Sequence, residues 1–257
     1  MGKVMEYVDK DPDVLVSVIM PAYNCEKYIG TAIRSVLEQT VSLELIIVED
    51  CAEDGTEDVI RSFLPDERII YICNETNLGV AASRNKGMEL ARGKYIAFLD
   101  ADDYWTKDKL ERQVSFMEEG DKILSSTGRE LIDENGSSTG KIIRIPEKIG
   151  YKDLLKGNVL NTSGVMVLSE TAKQYKMVQD HLHEDYIMWL SILKEHGKAY
   201  GINEPLLKYR VMQGTKSGNK LKSAKMTFGV YRYMGLNLIQ AVYYFCHYAI
   251  NGVRKYR

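Results

Sequence analysis

The segment "KYIAFLDADDYW" (residues 94–105) decides the fold of this chain. Tyr95 to Leu99 form an uninterrupted apolar run that reads as a buried strand. The chain then passes directly into three carboxylates, Asp100, Asp102 and Asp103. A core strand that ends in several acids predicts a polar site at the edge of a sheet.

The residues upstream of this segment alternate between strand patterns and helical patterns. The strand candidates are 14–20, 43–49 and 68–73, and the helix candidates are 26–40, about 54–64, and 79–93. This alternation predicts an α/β fold with a doubly wound, mostly parallel sheet of Rossmann-like type. Ligands bind beyond the carboxyl ends of such strands, so residues 21–24, Glu49-Asp50 and the acids after Leu99 are expected to converge there.

The pattern is looser after residue 107. The candidates in this part are a helix over 107–120, a strand and hairpin over 122–145, a strand over 164–169, an amphipathic helix over 184–197 and a short strand over 206–212. We therefore predict a catalytic domain over 1–217, with a nucleotide-binding half at about 14–112 and an acceptor half at about 113–217. Residues 218–257 are expected to form a helical extension.

The composition is that of a globular protein with a sizeable core, since 45% of the 257 residues are hydrophobic and 27% are charged. The N-terminus lacks the apolar stretch of a secretory signal. The four cysteines show no metal-binding spacing and are read as reduced thiols. These features predict a cytoplasmic protein.

The C-terminal extension is basic and aromatic. Ten Lys or Arg and no acid follow residue 207, which leaves 24 basic and 36 acidic residues in the rest of the chain. The apolar stretch 236–250 is short and interrupted for a membrane span. Two interpretations stay open: a helix on the anionic inner face of the cell membrane, or a helix packed on the catalytic domain or on a second copy in a homodimer.

An Asp-x-Asp sequence after an apolar strand suits a divalent metal, because Mn²⁺ and Mg²⁺ prefer hard oxygen ligands and often link carboxylates to phosphates. The same sequence is also common as a simple cap or a solvated loop. His181 and His183 form a His-x-His pair, but no further ligand lies nearby in sequence, which disfavours a metal site there.

The order and spacing of several segments resemble glycosyltransferase family 2, the inverting nucleotide-sugar transferases of the GT-A fold. The matching segments are "VSVIMPAYNCEKYIGTAIRSVLEQT", "LELIIVEDCAEDGTEDVI", "NLGVAASRNKGMELARGKYIAFLDADD", "HEDYIMWL" and "LLKYR". The resemblance is continuous over roughly 14–112 and fragmentary over 184–217.

The resemblance implies a role for individual residues. It implies that Asp102 binds the metal ion and that the nucleotide sugar is held by Pro21, Tyr23, Asp50, Arg84, Asp100 and Ala101. Within that set, Tyr23 would stack on the base and Asp50 would accept a base N–H. Asp185 matches the catalytic base, and Glu184 beside it would orient the acceptor. Acids in a first helical turn are otherwise ordinary dipole partners.

The chain departs from the family pattern at three positions. Glu49 replaces the first of two aspartates, Ala52 replaces a frequent serine, and Met212 replaces a histidine that can complete the metal site. Metal binding is therefore expected to depend on Asp102 and the diphosphate. Lys216 and Ser217 are weaker nucleotide-binding candidates.

The resemblance predicts a metal-dependent inverting transferase of cell-surface polysaccharide biosynthesis. The expected donor is a UDP-sugar, with thymine as the alternative base, and the expected acceptor is a saccharide or lipid-linked saccharide. Nucleic acid is not an expected partner. Two other functions remain open: a nucleotide-sugar-binding protein without catalysis, and a nucleotidyltransferase. The second would need a Gly-rich, Lys-bearing loop, which "PAYNCEKY" (21–28) lacks.

Overall fold

The structure is a computed structural model that describes residues 13–178, 181–212 and 220–255. Its strands are β1 (Val16–Ala22), β2 (Leu43–Glu49), β3 (Ile69–Cys73), β4 (Tyr95–Phe98), β5 (Tyr104–Trp105), β6 (Leu124–Ile132), β7 (Ser138–Ile143), β8 (Lys148–Gly150), β9 (Met166–Leu168) and β10 (Lys198–Arg210). Its helices are α1 (Glu26–Leu37), α2 (Thr56–Arg61), α3 (Val80–Leu90), α4 (Lys109–Glu118), α5 (Tyr151–Leu155), α6 (Ser169–Ala172), α7 (Glu184–His196), α8 (Lys220–Tyr233) and α9 (Leu238–Lys255). A short 3-10 turn covers Thr162–Gly164.

The strands form one sheet in the order β3-β2-β1-β4-β9-β6-β10-β5, with β7 paired to β6 and β8 to β10. The four strands from β3 to β4 are parallel. Strand β9 runs antiparallel to both of its neighbours, so β6 and β10 again point in the direction of β4. The predicted α/β fold and its parallel N-terminal half are confirmed, and the other half of the sheet is mixed.

The parallel strands are apolar throughout because both faces of the sheet are covered. Ile19 faces a core layer that also contains residues of α3 and α7, whereas Val18 and Met20 face a second layer that contains residues of α1 and α4. Phe98 of β4 packs edge-on against the ring of Trp189 in α7, with 5.7 Å between the ring centroids. This packing fixes the start of α7 relative to the end of β4.

Two predicted elements differ from the observed ones. Strand β10 has 13 residues rather than a short run, and an irregularity between Ile202 and Leu207 interrupts its register with β6. Helix α7 is not amphipathic, because residues on all of its sides are buried, including Glu184. The part of α7 up to Leu193 is enclosed on all sides and so carries no polar stripe, while residues 194–196 at its end are exposed.

The C-terminal extension packs on the domain. Val230 and Tyr231 of α8 are fully buried, and the Tyr231 hydroxyl donates to the carbonyl of Leu155 at 2.7 Å. Helix α9 lies against α8 and has a buried Ala241. The interpretation of a helix packed on the domain therefore holds for α8 and for one side of α9. Among the described helices, none combines the length and apolar character needed to cross a bilayer.

Candidate active site

The parallel strands carry the predicted site residues to one edge of the sheet. Pro21 lies near the end of β1, Asp50 directly follows β2, and Asp100 lies two residues beyond β4. Strand β10 points the same way and ends at Arg210. The common edge predicted from the sequence thus follows from the strand directions.

A buried arginine connects the two predicted halves of the site. Arg84, on α3, is 5% exposed and divides its guanidinium between Asp100 (Nη2 to Oδ1, 2.6 Å) and Glu184 (Nη1 to Oε1, 2.8 Å). Burial alone would lower the pKa of Arg84, but the charges of Asp100 and Glu184 raise it above its ordinary value. The guanidinium therefore stays charged and holds the start of α7 beside the end of β4.

The 3-10 turn makes a second connection between these acids. The Thr162 hydroxyl donates to Asp185 Oδ2 at 2.7 Å, and the Ser163 hydroxyl accepts the backbone N–H of Asp100 at 3.2 Å. Asp185 is half-buried, and its other carboxylate oxygen accepts the N–H of Tyr186 at 2.7 Å. Asp185 is therefore anchored at both oxygens and keeps a side open to solvent.

The three acids after β4 have different environments. Asp103 is buried, and its Oδ1 accepts the backbone N–H of Arg210 at 2.8 Å, which joins the acidic loop to the end of β10. Asp102 is half-buried; burial, and then the charge of Asp100, raises its pKa to about 6. Asp100 is paired with Arg84. Among these three acids, Asp102 thus combines a partly accessible carboxylate with the lack of a salt bridge to any basic side chain in the described part of the chain, which suits a metal ligand.

The acids after β2 are engaged with the protein itself. The carboxylate of Asp50 accepts the side-chain N–H of Asn74 and the backbone N–H groups of Leu78 and Gly79, all within 2.9 Å. Glu49 is bound to the backbone N–H of Ala52 and to the Cys73 thiol. In this structure both side chains order the loops at the sheet edge. A contact between Asp50 and a nucleotide base stays a prediction.

The other predicted nucleotide residues differ in their exposure to solvent. Tyr23 is 48% exposed, which leaves its ring available for stacking, while Pro21 is half-buried and Ala101 is buried. Lys216 and Ser217 lie outside the described residues. No group of three His, Cys, Asp or Glu side chains in the described part of the chain could hold a metal ion. Asp102 offers one carboxylate oxygen of the kind that Mn²⁺ and Mg²⁺ prefer as a ligand.

Sequence reasoning missed three residues of the site. Thr162 and Ser163 lie in a region without a recognisable motif, and no sequence feature indicated them. Arg210 belongs to the matching segment "LLKYR" but was given no role. Its guanidinium donates to the carbonyl of Asp102 at 2.8 Å and lies 4.5 Å above the ring of Tyr28.

A mixed α/β sheet whose parallel strands bring an Asp-x-Asp loop and a helix that begins with two acids to one edge is the arrangement of the GT-A fold. The glycosyl transferase family 2 model matches residues 17–175. This chain belongs to glycosyltransferase family 2.

Relatives of known name cover nearly the whole chain. The chain is 43% identical to TuaG of Bacillus subtilis (strain 168), named as a teichuronic acid biosynthesis glycosyltransferase, over 94% of this chain and 97% of TuaG. It is 36% identical to WfgD of Escherichia coli, named as a UDP-Glc:alpha-D-GlcNAc-diphosphoundecaprenol beta-1,3-glucosyltransferase, over 95% of this chain and 96% of WfgD.

Solved structures share the fold at low sequence identity. The complex of S. aureus TarS 1–349 with UDP-GlcNAc superimposes with a TM-score of 0.71 at 19% identity, over 86% of this chain and 65% of the TarS chain. The mannosyltransferase PcManGT of Pyrobaculum calidifontis, in complex with GDP-Man and Mn²⁺, gives 0.67 at 16% identity, over 88% of this chain and 66% of that chain. The predicted GT-A fold is thereby confirmed.

Proposed function

We propose that this glycosyltransferase moves a sugar from a UDP-sugar to a hydroxyl of a lipid-linked saccharide, with inversion at the anomeric carbon and with the help of a divalent cation. The observation that carries the proposal is the double connection between Asp100 and the start of α7, through Arg84 and through the Thr162–Gly164 turn. This connection holds Asp100, which we assign to the donor side, close to Asp185, which we assign to proton transfer from the acceptor. Relatives named for UDP-Glc and a diphosphoundecaprenol acceptor support the choice of substrates.

The residues present fit a divalent cation. Asp102 offers a hard oxygen ligand. Burial and Asp100 raise the pKa of its carboxyl to about 6, and a divalent cation beside it would favour the ionised form. A Mn²⁺ or Mg²⁺ ion held by Asp102 would neutralise the charge of the leaving diphosphate. Arg210, which binds the backbone of Asp102, keeps this carboxylate at the sheet edge.

In the proposed reaction Asp185 is the base. Its carboxylate takes the proton of the acceptor hydroxyl while the acceptor oxygen forms a bond to the anomeric carbon. The bond from that carbon to the diphosphate oxygen breaks, and the nucleoside diphosphate leaves with the electron pair. A single displacement inverts the configuration, and the protein needs no nucleophile. Glu184 is occupied by Arg84, so we assign it to the positioning of α7 and not to proton transfer.

The outward side of α9 suits the surface on which a lipid-linked acceptor is found. Leu238, Ile239, Val242, Tyr243 and Ile250 are each at least 47% exposed and lie on this side of the helix. No acid follows Glu204 in the sequence, whereas ten Lys or Arg do. An apolar, tyrosine-containing face within a purely basic segment is complementary to an anionic bilayer. We propose that α9 lies on such a surface.

Replacement of the base tests the proposed reaction. With a UDP-sugar panel, Mn²⁺ and a GlcNAc-diphospholipid acceptor, Asp185→Asn should lose at least about a hundredfold in turnover, since base catalysis typically contributes that much. Binding of UDP should be unchanged in calorimetry. Asp58→Asn makes the same chemical change on the exposed side of α2 and serves as the control. Normal transfer by Asp185→Asn would exclude it as the base.

Vesicle flotation tests the membrane surface. Ile239→Glu should abolish binding to vesicles that contain phosphatidylglycerol, because it places a charge in the centre of the apolar face. Ile142→Glu, at an equally apolar exposed position on β7, should bind normally. If the wild type ignores anionic vesicles, or if Ile239→Glu only dissociates a dimer, the face does not serve as a membrane surface.

A further inference from the structure

The Thr162–Gly164 turn is buried beneath the site, although its sequence carries no known motif. Thr162 is 5% exposed and Ser163 is fully buried. The turn lies between β4 and the start of α7, where it makes hydrogen bonds to both through adjacent side chains. The residues of this turn are uncharged, unlike the acids and arginines that form the rest of the site.

Buried groups hold the turn rigidly from the other side. The indole N–H of Trp105 donates to the carbonyl of Ser163 at 2.7 Å, and the Gln113 amide donates to the carbonyl of Gly164 at 3.1 Å. A side chain at position 164 would be confined, because a Cβ there would lie 3.1 Å from the Ser126 hydroxyl oxygen. Two carbonyls bound by buried side chains, and a close contact at the glycine, leave the turn little freedom to move.

The hydroxyls of Thr162 and Ser163 bind different parts of the site. The Thr162 hydroxyl donates to the Asp185 carboxylate, which is a charge-assisted bond of 2.7 Å. The Ser163 hydroxyl accepts from the backbone of Asp100 at 3.2 Å. Adjacent residues of one rigid turn therefore contact the base side and the donor side of the site separately.

We infer that Thr162 is a positioning residue for the base Asp185, and that Ser163 has the same function for the donor-side loop. This inference rests on the proposed role of Asp185. Threonine suits the position, because its branched Cβ restricts χ1 and so fixes the direction of the hydroxyl. A carboxylate held in one orientation meets the acceptor hydroxyl more often in a reactive geometry than one free to rotate.

The kinetic effects of the two residues should be separable. Thr162→Val keeps the shape of the side chain but removes the donor, so kcat should fall about tenfold to a hundredfold. The KM for the donor sugar and the Kd for UDP should stay within about twofold. Thr162→Ser restores the hydroxyl and should recover kcat to within about threefold of the wild type. Ser163→Ala should instead raise the KM for the donor with a smaller change in kcat.

Comparison with Asp185→Asn identifies which idea fails. If Asp185→Asn is inactive and Thr162→Val has wild-type kcat, the positioning role is wrong while the base assignment stands. If Asp185→Asn transfers sugar normally, the base assignment fails and the inference fails with it. A structural role for Thr162 would lower UDP binding and the melting temperature in both the Val and the Ser variants, and that result would also overturn the inference. The selective loss of kcat in Thr162→Val, with rescue by serine, is the expected outcome.

Discussion

At the scale of single residues, three acids that follow one strand acquire three functions from contacts with distant parts of the chain. Asp100 is half-buried and paired with Arg84, Asp103 is buried and binds the backbone of Arg210, and Asp102 is half-buried without a salt bridge to a described basic side chain. The strand pattern was sufficient to predict that the acids lie at one sheet edge. The division of roles was not predictable, because it depends on partners 16 and 107 residues away.

At neutral pH the ionised carboxylate of Asp102 should lower the free energy of unfolding. Its pKa is raised to about 6 in the folded state from an ordinary 3.8, so the folded state binds the proton more tightly. Its contribution to stability is therefore complete below pH 4 and is lost as the pH rises through 6. Without metal or nucleotide, Asp102→Asn should be more stable than the wild type by about 2 to 3 kcal/mol at pH 7.5.

Chemical denaturation at two pH values checks this expectation. The gain should fall to a small fraction at pH 4, where the carboxyl is also neutral in the folded wild type. The variant should lose most of its transferase activity. Added Mn²⁺ and UDP should raise the melting temperature of the wild type more than that of the variant. Equal stability of the two proteins at pH 7.5 would contradict the electrostatic origin of the raised pKa.

At the scale of elements, the strands that were easiest to predict are those covered on both faces. Strands β1 to β4 appear in the sequence as apolar runs because alternate residues enter two different core layers. Strand β10 was underestimated, because the register change between Ile202 and Leu207 divides its pattern. The Thr162–Gly164 turn was not predictable, since its hydrogen-bond partners Asp100, Trp105 and Asp185 are distant from it in the sequence.

One polar residue within these apolar strands should be important for stability. Glu44 of β2 is 2% exposed; it accepts the Ser17 hydroxyl at 2.6 Å and both the backbone N–H and the guanidinium of Arg92 at 2.8 Å. Glu44→Ala removes this buried acceptor from the buried Ser17 hydroxyl and from the half-buried Arg92, and should lower the free energy of unfolding by about 3 kcal/mol. Urea denaturation measures this difference.

An exposed ion pair provides the control for Glu44. Glu118 binds Lys94 at 2.9 Å with about half of each side chain exposed, so Glu118→Ala should leave the urea midpoint almost unchanged. Because Glu44 lies at the edge of the sheet opposite the site, UDP binding should persist in the folded fraction of Glu44→Ala. Similar midpoints for the two variants would show that the buried pair adds no stability.

At the scale of the whole molecule, the change from an acidic to a basic sequence lies shortly before the C-terminal helices, which pack on the rest of the protein. The acidic part of the chain contains helices α1 to α7 and nearly all of the sheet, and the basic part begins at the end of β10 and includes α8 and α9. The sequence predicted a helical extension but left its position open. The position of the extension depends on the burial of Val230 and Tyr231 within the protein. An apolar and aromatic sequence alone does not show whether such residues contact the protein or a membrane.

Two truncations separate the structural helix from the surface helix. A chain that ends at residue 237 lacks only α9, which shares an edge-on contact between Phe228 and Phe245 with α8. It should fold with a lower melting temperature, bind UDP in the presence of Mn²⁺, and no longer float with anionic vesicles.

A chain that ends at residue 219 also loses Val230 and Tyr231, both fully buried. Removing two such side chains costs several kcal/mol, which is comparable with the whole stability of a domain, so this chain should not melt cooperatively. Differential scanning calorimetry of both truncations measures the effect. Cooperative melting of the shorter chain at the full-length temperature would show that α8 is dispensable for the catalytic domain.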